Sequence, residues 1–182
     1  MKRLLAAAAL ICLSSGFQAQ AVLPDGADAV VLQERYGNWM VVCQENTDTA
    51  GTVCSALQVQ TRAGARVLSA QLSGDPETSL TGTLTLPFGL ALTEGISLSA
   101  DEKPLQALKF STCLPEGCVV PVQWDKEQVK ILMNASKWTL TGKNSGVSAE
   151  KIELQLPVNG LDKALQRIQF LQAKKTDTPP SS

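Results

Sequence analysis

A chain of 182 residues with 16 basic and 17 acidic side chains is sized for one domain and has no charge excess to hold a nucleic acid. It contains no histidine, which excludes Ser-His-Asp and Cys-His catalysis and any histidine-ligated metal. Its cysteines therefore raise the first chemical question, and the N-terminus supplies the compartment in which to answer it.

Met1, Lys2 and Arg3 precede an apolar run from Leu4 to Leu13, and small or polar residues follow as far as Ala19-Gln20-Ala21. A cationic start, a short apolar stretch and an A-x-A-type site predict a secretory signal peptide over residues 1–21, cut after Ala21. The apolar run is far shorter than the roughly 20 residues that cross a bilayer, so no membrane span is expected. Cys12 follows Ile11, where lipid attachment would call for a small residue, and it belongs to the discarded segment. The mature chain then has 161 residues, four cysteines and a net charge near −3. That charge provides no overall footprint for nucleic acid or anionic lipid. A chain of this length buries roughly 70% of its unfolded surface as one domain, here expected in the periplasm, in the medium or on the outer surface.

Residues 22–35 read as a loose lead-in, and 36–173 as a single domain. Period-two alternation dominates it. Candidate strands are Trp39 to Cys43, Cys54 to Thr61, Arg66 to Leu72, Leu80 to Leu86, Ile96 to Leu98, Leu108 to Phe110, Cys118 to Trp124, Trp138 to Leu140 and Ile152 to Val158. About nine short strands separated by turn signals such as Gly74-Asp75-Pro76 predict an antiparallel β-sandwich. Two segments carry helical spacing instead. Asp125, with Gln128 three residues on, predicts a capped short helix near 126–133. Leu161, Ala164, Leu165, Ile168 and Leu171 form one apolar stripe of an amphipathic helix near 160–172, expected to cover the sheets. The tail 174–182, ending Thr-Pro-Pro-Ser-Ser, has nothing to bury and reads as disordered.

Four mature cysteines allow three pairings, and spacing alone does not choose among them. Zinc is disfavoured because neither arm has the tight C-x2-4-C spacing and no histidine completes a set. Redox catalysis is disfavoured because no C-x-x-C opens a helix. Structural disulfides fit an exported chain. Leu114-Pro115-Glu116-Gly117 suits a type I turn, so a four-residue hairpin loop would set Cys113 opposite Cys118. Cys43 and Cys54 likewise flank a polar connection between two candidate strands. Loop-closure entropy assigns about 2 kcal/mol to the shorter bridge and about 3 to the longer.

Four segments in order then point to a family: "YGNWMVVC" (36–43), "LPFGLALTEGISLSAD" (86–101), "FSTCLPEGC" (110–118) and "LPVNGLDKALQRI" (156–168). Together they resemble the invasion-associated locus B family of bacterial exported proteins, across nearly the whole mature domain. The resemblance implies a β-rich domain in the periplasm or on the outer surface of a Gram-negative bacterium, associated in some pathogens with host-cell invasion. It brings no catalytic or cofactor-binding residues. The positions it carries over are structural: Trp39, Pro87, Gly89, Gly160 and the cysteines Cys43, Cys54, Cys113 and Cys118; Gly117 ends the turn between the last two. Leu161 departs from the pattern, which leads one to expect an aromatic after the glycine.

Little else resembles an active centre. Ser148-Ala149-Glu150-Lys151 fits S-x-x-K, but it leads into a strand and no S-D-N partner exists, so it reads as coincidence. Asp101 and Glu102 are adjacent, point to opposite sides and read as a solvated turn. With eight aromatic residues in the chain, Trp39, Trp124 and Trp138 are expected mostly in the core, not around a ligand. These features predict no enzyme, cofactor or metal, but an envelope binding protein whose partner is an unknown protein or envelope component. The alternative is a periplasmic small-ligand-binding or envelope-stress protein, which would show a concave apolar pocket between its sheets.

Overall fold

Alternating side chains send every second residue of a strand to one face, and here that single rule builds two sheets over a shared core. The computed structural model describes residues 30–46 and 51–176. The segment expected as a signal peptide and the last residues of the expected tail lie outside the described residues. The strands are β1 (Val30–Tyr36), β2 (Trp39–Asn46), β3 (Gly51–Arg62), β4 (Ala65–Asp75), β5 (Ser79–Leu86), β6 (Ile96–Ala100), β7 (Lys103–Leu108), β8 (Thr112–Leu114), β9 (Gly117–Trp124), β10 (Lys137–Lys143) and β11 (Lys151–Pro157). Two helices accompany them, α1 (Lys126–Asn134) and α2 (Leu161–Thr176). A seven-stranded sheet runs β1-β2-β3-β4-β5-β9-β8 and a four-stranded one runs β11-β10-β6-β7, with every pairing antiparallel.

Two strands depart from the sequence-based expectation. Val30–Tyr36, of which residues 30–35 were taken as part of a loose lead-in, pairs with β2 through a tight turn at Gly37 and Asn38. Its inward row contains Glu34, which breaks the apolar alternation. Arg167 on α2 neutralises that carboxylate with two 2.8 Å hydrogen bonds, from Nε and Nη2. The other addition, β8, has only three residues, too few for a periodic signal. The expected strand around Leu108 to Phe110 sits earlier, as β7.

Asp125 caps α1 in a reciprocal box with Gln128: the Gln128 N–H donates to Asp125 Oδ1 at 2.9 Å, and the Asp125 N–H to Gln128 Oε1 at 3.2 Å. The α2 stripe of Leu161, Ala164, Leu165 and Ile168 is fully buried over β1–β4. The helix continues to Thr176, past the expected start of the tail at residue 174.

Three tryptophans fill the space between the sheets. Trp39 on β2 and Trp124 on β9 come from the large sheet, and Trp138 on β10 from the small one. Trp138 meets both edge-on, with ring centroids 6.2 Å from Trp39 and 5.2 Å from Trp124. All three are fully buried, and each indole N–H donates a hydrogen bond, to Pro157 O, Gln106 Oε1 and Leu132 O respectively. A buried indole without a partner would be costly; these are satisfied.

A candidate binding surface beside the disulfide hairpin

Cys113 and Cys118 form one disulfide and Cys43 and Cys54 the other, each pair directly opposite across neighbouring strands with Cα atoms 3.9 and 4.0 Å apart. The β8–β9 hairpin is tighter than a four-residue loop. Leu114 pairs with Gly117, so only Pro115 and Glu116 make the turn. Gly117 permits this: its φ is +139°, and a Cβ there would sit 2.4 Å from Leu86 O. The bridge fastens a three-residue edge strand to the end of β9, where Cys118 pairs with Leu86.

Cys118 is buried on the inner face, and Cys113, exposed at the sheet edge, lies opposite it on the same face, so the alternate residues of this hairpin face out. Across the large sheet one outward row runs Met40, Leu57, Gln71 and Thr83, and the next runs Val59, Ser69, Thr85, Val119 and Thr112. The first row begins at Arg35 on β1, opposite Met40; from β2 onward the two rows carry no charge. Between them lies a shallow trough of about 400 Å³, lined by Leu57, Val59, Thr83, Thr85, Val119 and the hairpin's Leu114, among others. Arg66 and Glu116 are the charged side chains in its lining. Val59 and Leu114 are 43% and 49% exposed, too open for core residues of their type.

A larger groove, about 980 Å³, lies between α1 and the β6–β7 hairpin, with Leu105, Ile131, Lys103, Lys130 and Lys137 among its walls. Asp101 anchors it. Its φ is +50°, and its carboxylate accepts from Ser136 Oγ at 2.6 Å and from the N–H groups of Ser136 and Lys137 at 3.1 and 3.3 Å. The Ser136 hydroxyl first, and then those backbone donors, hold the Asp101 carboxyl below the usual aspartate range. Asp101 and Glu102 form the expected turn at the end of β6, and Asp101 in addition ties that turn to the start of β10.

The remaining sequence candidates stay apart. Ser148 is exposed in the loop before β11, and Lys151 Nζ is engaged by Glu153 Oε1. Pro87 and Gly89 lie in the loop after β5, where Gly89 O accepts from the Ser145 N–H at 2.7 Å. Gly160, at φ +92°, packs against Tyr36 O in the β1–β2 turn. Leu161, where an aromatic was expected, is fully buried at the start of α2.

Sequence reasoning missed Gln58 and Gln60. Both sit on the inward row of β3, as the parity of Cys54 and Ala56 required. Gln58 Nε2 donates to Pro157 O at 3.0 Å, and Gln60 Nε2 to Gln155 O at 2.8 Å, which fastens β11 to the large sheet.

Residues 39–169 match the family model for invasion-associated locus B protein. The chain belongs to the invasion-associated locus B family. It is 38% identical over 159 residues to an invasion protein B homolog of Brucella abortus, covering 87% of this chain and 90% of that one. It is 33% identical over 155 residues to invasion protein B of Bartonella bacilliformis, covering 84% and 81%. The crystal structure of invasion-associated protein B from Bartonella henselae superposes with a TM-score of 0.72 at 27% identity, over 79% of this chain and 98% of that one. The matched span of this invasion-associated locus B domain runs from the first residue of β2 into α2. It includes both disulfides, the three tryptophans and the trough.

Proposed function

We propose that this chain is an exported, non-enzymatic binding protein of the bacterial cell envelope, and that it acts in host-cell invasion, the process for which its relatives are named. The observation that carries the binding reading is a contrast between inside and outside. Tryptophan rings close the space between the sheets, where a small-ligand protein would keep a pocket, while the outward face of the large sheet keeps a partly apolar trough with Arg66 and Glu116 as its charged lining. Two disulfides suit an oxidising compartment and hold the strands beside that trough. The test replaces Val59 and Leu114 together by serine and compares deletion strains carrying either form in a cell-invasion assay, with fractionation locating the protein. The reading expects the protein outside the cytoplasm, a normally folded variant and lost invasion. Full invasion by the deletion strain, or by the variant, would refute it.

A further inference from the structure

We propose that the free edge of β1 accepts an extended segment of a partner polypeptide as an eighth strand of the large sheet. The contrast among sheet edges carries this. An open edge presents unpaired N–H and C=O groups, and proteins ordinarily block such edges with proline, bulges, charge, brevity or a cover. Among the described residues, three of the four edges are blocked. The edge strand β8 has three residues and is followed at once by Pro115, while the stretch of β9 beyond it carries Pro121. Pro104 lies in β7 next to a register shift. Along β11, Gln155 O and Pro157 O are taken by Gln60, Gln58 and Trp39, and Lys151 and Glu153 occupy its start.

The fourth edge, β1, has seven residues, with no proline and no register shift over Leu32 to Tyr36; its inward charge, Glu34, is neutralised by Arg167, and its outward one is Arg35. Tyr36 and Trp39 close the β1–β2 turn as a pair, so by antiparallel alternation Tyr36 and Glu34 bond to β2. Gln33 and Arg35 then turn their N–H and C=O groups outward, and an extended backbone can pair with such a row in register.

The two faces beside this edge describe the partner. On the inner side α2 leans over β1, with Arg167 clamped on Glu34 and its guanidinium 5.4 Å from the ring centroid of Phe170, which is 59% exposed. An inward residue of an added strand is apolar, to pack under that ring. On the outer side Arg35 takes part in none of the salt bridges among the described residues, so the opposing outward residue is acidic. A second copy of β1 fits poorly: antiparallel pairing centred on Gln33 sets Val31, not an acid, opposite Arg35.

The probe is a terminally blocked heptapeptide alternating valine with glutamate, added to the full mature protein and followed by amide hydrogen exchange. The isolated protein should exchange Gln33 and Arg35 fast and Glu34 slowly, and the peptide should slow the first two by on the order of tenfold. A peptide with lysine for glutamate should bind more weakly. Gln33→Pro removes one outward N–H without disturbing the β1–β2 ladder, so it should keep the Glu34 protection and the urea midpoint but lose the peptide effect. Three outcomes overturn the proposal: no protection by peptide at millimolar concentration; edge amides already protected in the monomer, meaning the chain's own N-terminal segment fills the edge; or protection that tracks a dimer.

Discussion

Replacing Gly160 by alanine, with Gly89→Ala as its control, separates backbone strain from steric collision in a single comparison. The two glycines have nearly the same backbone, φ +92° and +88°. A side chain at either position adopts a left-handed conformation that costs about 1–2 kcal/mol. Their surroundings differ. A Cβ on Gly89 meets nothing within 4 Å, whereas one on Gly160 lies 2.0 Å from Tyr36 O and 2.5 Å from Tyr36 C. Carbon–oxygen contacts begin at about 3.3 Å, so the β1–β2 turn and the start of α2 must separate by roughly 1 Å. That shift breaks the 3.1 Å bond from the Asn38 N–H to Asn159 O and strains the Ala164 N–H bond to Gly160 O. Losing one to two such bonds adds about 1–2 kcal/mol. Gly89→Ala should therefore cost about 1–2 kcal/mol and Gly160→Ala about 2–4, read as urea midpoints at unchanged m-value. Costs within about 0.5 kcal/mol of each other would refute the packing account, since conformational strain alone would then explain both.

Serine in place of Cys43 and Cys54 should cost about 3 kcal/mol, and in place of Cys113 and Cys118 about 2, because the first bridge closes the longer loop; equal losses in urea unfolding would contradict the entropy reasoning. Glu34 has its pKa lowered, first by the hydrogen bonds from Arg167 and then by that from Tyr36 at 2.8 Å. A carboxyl depressed in the folded state stabilises the fold fully above its ordinary pKa of about 4.3, and that contribution disappears as pH falls through the lower folded value. Wild type should thus lose more stability than Arg167→Gln between neutral pH and pH about 3, and parallel urea midpoints over that range would count against the clamp. Gln58→Leu removes the donor to Pro157 O and the 3.0 Å acceptor of Gln60 Nε2, and should cost about 1–2 kcal/mol with faster amide exchange confined to β11.

Elements with uninterrupted parity were legible in the sequence. Leu80, Leu84 and Leu86 announced β5, Asp125 and Gln128 announced α1, and the Leu161-to-Ile168 stripe announced α2, because each depends on contacts its own residues make with one face. The strand that escaped, β1, needs a residue 133 positions away: Glu34 sits on a buried row only because Arg167 meets it there. No local pattern encodes such a partner. The hairpin loop was read two residues too long for a related reason. Pro115 and Gly117 suit either length, and what decides is the approach of Gly117 to Leu86 O, across a strand pairing that sequence spacing does not specify.

The candidate surface follows the same division. The cysteines drew notice as chemistry, yet Cys43, Cys54 and Cys118 are buried, Cys113 closes the sheet edge beside Cys118, and their strand neighbours point to the other face. Once Cys113 pairs with Cys118 facing the core, Leu114 and Val119 must face solvent, and so must Thr85 opposite Val119. The trough is therefore a consequence of inward cysteines in register, and reducing the hairpin bond acts on it by releasing Leu114 from its wall. The tryptophans, expected mostly in the core, lie there: Trp138 stands edge-on to Trp39 and Trp124 at the sheet interface, and the three rings occupy the space that a pocket between the sheets would need.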